Sequence, residues 1–208
     1  DSSTSRGLGD VYKRQVQLVE VALQDQERAA SPQEGLQRLW SGLDYLVRGE
    51  VDAVYVKGAA AADAARRLGL VVGIDLDLVA EPRYRINNGT PRPITVHQSL
   101  LDNHFDLVVR FLAQTLRAAD WAAHNRPALN AILEEETRAG SAGVNEAYRG
   151  DFHTTLAPDL SPQRLEFLDI QKNFLYRHGF LERDFAIADW VDPRPLHAAH
   201  ELLAQRRA

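Results

Sequence analysis

The pattern of hydrophobic and polar positions divides the chain in two near residue 80. Before that point, short β-branched apolar runs predict strands at 16–23, 51–56 and 70–79. Leucines or alanines at helical spacing predict the helices between them, which begin at Ser31 and Gly58. Strands separated by one helix each indicate parallel crossover units, because only a connection of that length returns the chain to a parallel neighbour. The predicted fold class is therefore α/β, with a doubly wound sheet.

After residue 80 the strand pattern stops and helices follow almost without interruption. The stretch 80–93 contains three prolines, a glycine and two asparagines, so no helix or long strand is expected through it. An extended segment at 94–96 precedes the predicted helices, which are 103–119, 126–138, 145–148, 161–178, 184–190 and 193–206. Gly140 and Gly143 are expected to separate the second helix from the third. The chain is thus predicted to comprise a tail at 1–15, an α/β portion at 16–82, a hinge loop at 83–93 and a helix-rich portion at 94–208.

The composition is that of an ordinary globular protein, and it argues against several classes of binding and catalytic site. Of 208 residues 45% are apolar and 25% charged, and the net charge of −5 argues against a broad surface for nucleic acid or acidic membranes. No apolar run reaches the roughly 18 residues of a membrane-spanning helix. The seven histidines lack metal-ligand spacing, and the absence of cysteine removes disulfides, thiolate metal sites and a cysteine nucleophile from this segment. We therefore predict no metal, no cofactor and no catalytic residue here.

The beginning of the sequence predicts that the chain is the C-terminal part of a longer protein. The sequence holds no methionine, and residues 1–9 are small and polar without apolar periodicity. Residues 10–15, DVYKRQ, resemble the translation of a transposase adapter used for sequencing libraries, which is frequent at the ends of assembled metagenomic fragments. Residues 1–15 are for this reason placed outside the fold. A natural flexible tail is the alternative.

The turn from the strand 51–56 into the next helix carries the first candidate site. Ligands of open α/β sheets bind beyond the carboxyl ends of the strands, and a helix N-terminus offers amide donors and partial positive charge to an anion. Tyr55, Lys57 and Gly58 lie at this place. Lys57 adds a full charge, and Gly58 permits close approach of a ligand to the backbone. The alternative is a solvated lysine beside an ordinary turn glycine.

The loop 83–92, RYRINNGTPR, carries the second candidate site. It combines three guanidinium groups with two side-chain amides and a hydroxyl, which are groups that recognise sulfonate, carboxylate or phosphate oxygens. The ligand-binding residues expected from this loop are Arg85, Asn87, Asn88 and Thr90. The alternative is a polar connector whose asparagines and glycine only form a turn.

Several stretches resemble a known family. Residues 48–55, RGEVDAVY, together with 72–75, VGID, resemble a passage of the periplasmic binding protein type 2 fold. Within that fold the likeness is to the nitrate, sulfonate and taurine group of ABC-transporter substrate-binding proteins. Residues 151–153 and 165–179, followed by Asp189 and Trp190, resemble the C-terminal helices of the related hydroxybiphenyl sulfinate desulfinase branch.

The resemblance implies two lobes, joined at a hinge, that close on a ligand between them. Residues 16–82 are then part of the second lobe, the helical remainder belongs to the first lobe, and the loop 83–93 lines the cleft. The fold expected is accordingly a partial one.

Two functions follow from the resemblance. One is a periplasmic or membrane-anchored receptor that captures a small organic anion, such as a sulfonate, taurine or nitrate, for an ABC-transporter permease. The other is a cytoplasmic desulfinase that releases sulfite, with its catalytic cysteine in an upstream half. The receptor is favoured, because these residues offer anion recognition and no catalytic site.

Overall fold

The structure is a computed structural model, and it describes residues 17, 19, 42–86 and 91–205. Of these residues 64% are helical and none lies in a strand. A helical segment at 42–47 comes first, followed by α1 (Ala59–Arg67), α2 (Gln98–His124), α3 (Arg126–Thr137), α4 (Ser141–Ala147), α5 (Pro162–Arg177), α6 (Ile187–Trp190) and α7 (Arg194–Gln205). Short 3₁₀ helices occur at Leu76–Leu78, Pro82–Arg85 and Phe152–Thr154. The described part of the chain is therefore helix-rich.

The contacts between residues divide the chain into two compact units. The first unit takes its residues from Asp1–Leu70 and Thr137–Ala147, and the second from Val71–Glu136 and Tyr148–Ala208. Helices α1 and α4 thus belong to the first unit, whereas α2, α5, α6 and α7 belong to the second. The lobes at 16–82 and 94–208, with a hinge at 83–93, stay a prediction.

The first unit is built on the packing of α1 against α4. Helix α1 is rich in alanine, and its buried apolar residues are Ala59, Ala60, Ala61 and Ala64. Small side chains let two helix axes approach closely, since the side chains at the contact set the distance between the axes. Gly143 is buried in α4 for the same reason, because a Cβ there would meet α1.

The second unit has a hydrophobic core between α2 and α7. Helical spacing in the sequence predicts one apolar stripe along α2, formed by Phe105, Val108, Val109, Leu112, Leu116 and Ala119. This prediction is confirmed for the buried members, which are Val108, Val109, Leu112, Leu116 and Ala119. Ala199 of α7 is fully buried in this cluster, with Leu196, Leu202 and Leu203 packed around it. Phe105 was predicted in the same stripe but is partly exposed, just beyond a non-helical residue at His104.

Helix α5 begins and ends as its sequence predicts, but its buried side chain is unexpected. Ser161 is the N-cap, Pro162 is the first helical residue, and Gly179 follows the helix with φ of 76°. Lys172 is buried on this helix, whereas the aromatic ring of Phe174 is exposed. The Lys172 ammonium donates a hydrogen bond of 2.6 Å to Asp184 and lies 3.2 Å from Asp169. The burial of Lys172 is thus accompanied by two carboxylates.

The predicted strands are not found among the described residues. The segment 51–56 forms no strand there. A strand needs a neighbouring strand with which its backbone exchanges hydrogen bonds, and none occurs among the described residues. The strand predicted at 70–79 is wrong over Leu76–Leu78, which form a 3₁₀ helix. The Asp75 carboxylate accepts a 3.0 Å hydrogen bond from the Asp77 amide and turns the chain at this point. The strand at 16–23 lies outside the described residues apart from 17 and 19, and the α/β fold class stays a prediction.

Three predicted helices differ from the observed ones in their bounds. Helix α2 begins at Gln98 instead of 103, because a short helical stretch precedes the kink at His104 and runs into the main helix. Helix α4 begins at Ser141 and contains Gly143, which was expected to be a separator. Helix α6 begins at Ile187 instead of 184, since Asp184 is engaged by Lys172 and caps the Phe185 amide with its own side chain.

The other predicted helices agree closely with the described ones. The alanine-rich helix after Gly58 is observed as Ala59–Arg67, and the predicted helices 126–138 and 193–206 are observed as Arg126–Thr137 and Arg194–Gln205. None of the described helices combines the length and apolar character needed to cross a bilayer.

Candidate functional site

The first candidate site lies at the N-terminus of α1. Gly58 is the N-cap residue, with φ of 88° and ψ of 163°, and its carbonyl oxygen accepts a 3.1 Å hydrogen bond from the Ala62 amide. A positive φ of this size favours glycine, because a Cβ would crowd the backbone. Apart from Gly58 itself and the residues on either side of it, no described atom lies within 4 Å of the position that a Cβ would occupy at Gly58. The backbone at Gly58 is therefore open on that side, within the described part of the chain.

The charges at this end of α1 favour an anion. Gly58 supplies no side-chain cap, and the first turn of α1 contains no acidic residue. The side chains of Tyr55 and Lys57 are exposed just before the helix. The basic residues Arg66 and Arg67 lie in the last turn, as the helix dipole favours. Amide donors, the dipole and Lys57 together thus place positive potential at one end of the helix.

The negative charge of Asp63 in α1 is balanced by two arginines of the same helix. Its carboxylate is buried, 3.2 Å from the Arg67 guanidinium and 3.7 Å from that of Arg66. The two arginines are each more than half exposed, so they reach back from solvent to a buried acid. Both charged partners lie on the turns that follow Asp63, away from Gly58. This ion pair is therefore part of the helix packing and not of the candidate site.

The second candidate site is described only in part. Arg85 ends the 3₁₀ helix Pro82–Arg85, and Asn87, Asn88 and Thr90 lie outside the described residues. Beside Arg85, the Arg83 guanidinium lies 5.3 Å from the centre of the Tyr84 ring and 3.8 Å from the Glu81 carboxylate. Arg85 belongs to the second unit, whereas Tyr55, Lys57 and Gly58 belong to the first. The structure thus places three predicted residues at one turn and the fourth in a different unit.

A groove at the start of α2 was not predicted. Its volume is about 590 Å³, and its lining residues are Thr95, Val96, His97, Ser99, Leu100, Asn103 and His104. Two imidazoles, two hydroxyls and an amide therefore border a mainly apolar surface. The side-chain amide of Asn103 donates a 2.8 Å hydrogen bond to the Ser99 carbonyl, which turns it along the helix. The sequence offered His97 and His104 as the signal, and their spacing is not that of metal ligands, which favours surface or capping roles.

The backbone departs from helical geometry at His104, one of the residues that line this groove. His104 has φ of −141° and ψ of 41°, which is not helical, although helical hydrogen bonding continues on both sides. His97 occupies the N-cap position of α2 without a side-chain hydrogen bond to it. No group of three or more His, Cys, Asp or Glu side chains among the described residues is placed to hold a metal ion. The groove is thus a mainly apolar surface feature with polar groups at its border.

Two ion pairs outside the candidate sites and the groove lower the pKa of the carboxyl groups that they contain. The Arg149 guanidinium donates a 2.6 Å hydrogen bond to Asp75 and lowers the pKa of that carboxyl group. The hydrogen bond from Lys172 lowers the pKa of Asp184 in the same way, and that bond also raises the pKa of Lys172. In both pairs the ionised forms are favoured, as expected for structural ion pairs.

Comparisons with known proteins add no relative. No family model, curated protein or solved structure matches the chain. The periplasmic binding protein resemblance therefore rests on the sequence stretches at 48–55, 72–75, 151–153 and 165–179.

Proposed function

We propose that this chain contributes to a binding site for a small organic anion, and that the anion is held at the N-terminal turn of α1. The observation that carries the proposal is the geometry of Gly58, which caps α1 without a side chain and leaves its backbone open on one side. An anion at such a turn accepts hydrogen bonds from backbone amides and is attracted by the helix dipole. Lys57 adds a full positive charge beside it.

Within this proposal the protein acts as the substrate-binding component of an ABC transporter. The sequence resemblance supports this choice, since its family binds sulfonates, taurine or nitrate between two lobes. The candidate site offers groups that recognise an anion, namely the backbone amides at Gly58 and the Lys57 ammonium. Arg85, Asn87, Asn88 and Thr90 are proposed to complete the anion site from the hinge loop.

Amide NMR spectra of the 208-residue chain, titrated with taurine, methanesulfonate and nitrate, test the proposal. We expect the amides of Gly58, Ala59 and Ala60 to shift, because they lie nearest the proposed anion. The dissociation constant is expected in the millimolar range, since one helix turn and one lysine offer few contacts to a small anion. Shifts confined to other segments, or none, would contradict the site.

The variant Lys57→Ala tests the contribution of the lysine. Losing one charge-assisted contact should weaken binding about tenfold. Arg117→Ala is the matched control, because it removes one positive charge from an exposed position in the second unit. Equal losses in the two variants would indicate a general effect of net charge, and unchanged affinity in Lys57→Ala would remove Lys57 from the site.

A further inference from the structure

The segment 71–74 exposes both its side chains and its backbone. Val71, Val72 and Ile74 are 92%, 60% and 82% exposed. Among the hydrogen bonds of the described residues, none engages a backbone amide or carbonyl group of 71–74. Backbone polar groups without a protein partner are normally in contact with water, so the backbone of this segment is accessible to other molecules.

Ordered structure lies on both sides of this segment. On the upstream side, the Leu70 amide donates a 3.0 Å hydrogen bond to the Ala65 carbonyl of α1. On the downstream side, Asp75 accepts a 2.6 Å hydrogen bond from the Arg149 guanidinium and is the N-cap of the 3₁₀ helix Leu76–Leu78. The segment 71–74 is therefore a short non-helical span, at the point where the chain passes from the first unit to the second.

A span of this kind suits the substrate cleft of an endopeptidase. A protease binds its substrate as an extended chain and exchanges backbone hydrogen bonds with it, as in the addition of a β-strand. A helix must first open to be bound in this way, whereas 71–74 has no backbone hydrogen bonds to lose. Cleavage of folded chains is concentrated at exposed segments for this reason.

The side chains of the span indicate the class of endopeptidase. The specificity pocket of a protease binds the side chain before the cut, and a small apolar pocket such as that of elastase accepts Val71 or Val72. Residues 68–82 contain no lysine or arginine, so a trypsin-like protease has no target there. The valines of the non-helical segment 51–56 are partly buried and thus less available.

We propose that 71–74 is a processing site, cleaved after Val72 by an endopeptidase with a small aliphatic specificity pocket. Gly73 follows the cut and adds no side chain that could hinder the approach to the bond. Water adds across the Val72–Gly73 peptide bond, which gives Val72 a new carboxyl group and Gly73 a new amine. The two pieces stay associated after the cut, because α1 of the upstream piece packs against α4 of the downstream piece within the first unit.

Limited digestion of the 208-residue chain with pancreatic elastase, followed by mass spectrometry, tests the site. Among cuts within 42–86 and 91–205, the first should give one piece that ends at Val72 and another that begins at Gly73. The pieces should separate in a denaturing gel and elute together in native size-exclusion chromatography. A first cut elsewhere in these ranges would overturn the site, and pieces that separate under native conditions would overturn their association.

Two arginine variants separate accessibility of the backbone from exposure of the side chain. Val72→Arg places a trypsin target in the span, and Leu107→Arg places one on α2, where Leu107 is 49% exposed. Trypsin should cut at 72 at least about tenfold faster than at 107, because α2 must open first. Circular dichroism reports the helix content, and Val71→Arg or Phe111→Arg replaces a variant that loses helix. Equal rates at the two positions would overturn the proposal.

Discussion

Gly143 lies so close to Ala59 that a Cβ added to Gly143 would be 2.5 Å from the carbonyl oxygen of Ala59. The same atom would lie 2.5 Å from the Cβ of Asp63, one turn further along α1. Real Cβ atoms do not approach backbone oxygens this closely, so the backbones of α1 and α4 are in contact at this point. The candidate anion site begins at the residue before Ala59, and its position depends on this contact.

Replacing Gly143 with alanine should therefore destabilise the first unit. The added methyl group forces α4 away from α1, at a cost of about 1–3 kcal/mol. Amide hydrogen exchange measures this locally, and the amides of α1 and α4 should lose protection while those of α2 do not. Gly73→Ala is the control, because no atom lies within 4 Å of a Cβ at Gly73. Unchanged exchange in Gly143→Ala would show that α1 and α4 do not pack this way.

Elements whose ends are determined locally could be predicted from the sequence. Ser161 and Pro162 favour a helix start and Gly179 a helix end, because each acts through its own backbone dihedrals or missing amide. The buried stripe of α2 could be predicted as well, since Leu112 and Leu116 follow helical spacing. The open turn at Gly58 followed from the alanine-rich run that begins directly after it.

Features that depend on distant residues could not be predicted. Gly143 was interpreted as a separator because glycine has low helix propensity, whereas its packing on Ala59 requires knowledge of α1. The kink at His104 could not be predicted either, because its non-helical dihedrals lie inside a helix that continues on both sides of it. The burial of Lys172 depends on Asp184, twelve residues later, and no helical pattern indicates it. Strand pairing is also non-local, so an apolar run such as 51–56 cannot identify its partner.

Leu112 is expected to be important for the core of the second unit. It is buried in the cluster that α2 and α7 share. Leu112→Ala should cost about 3 kcal/mol through lost burial and the cavity that remains. Urea unfolding followed by tryptophan fluorescence reports this, because Trp121 and Trp190 belong to the same unit. Leu107→Ala, at a half-exposed position of the same helix, should cost far less, and equal losses would place Leu107 in the core.

Two variants of Lys172 separate the effect of its charge on stability from the effect of its packing. Its stem is buried, whereas Asp169 and Asp184 are about half exposed, so water screens much of the ion-pair energy. We expect Lys172→Ala to lower the Tm by several degrees and Lys172→Met, which keeps most of the stem, to lower it less. Arg177→Ala provides an exposed control on the same helix. If the methionine variant is as unstable as the alanine variant, the ion pairs dominate over packing.

The ion pair between Asp75 and Arg149 should make the second unit less stable in acid than near neutral pH. The hydrogen bond from Arg149 lowers the pKa of Asp75 in the folded chain below its unfolded value of about 3.9. The pair therefore stabilises the fold above that unfolded value, and the contribution is lost as pH falls through the folded pKa. Because both side chains are partly exposed, its size near neutral pH is about 0.5–1 kcal/mol.

The variant Asp75→Asn tests this dependence directly. It should be less stable than the parent chain at pH near 7, and the difference should shrink once the parent Asp75 is protonated in strong acid. Urea unfolding at both pH values, followed by tryptophan fluorescence, gives the two free energies of unfolding. Asp52→Asn, at an exposed aspartate of the first unit, serves as the control and should show no such convergence. A difference between parent and Asp75→Asn that stays constant with pH would mean that Asp75 acts through the backbone turn at Asp77 and not through its charge.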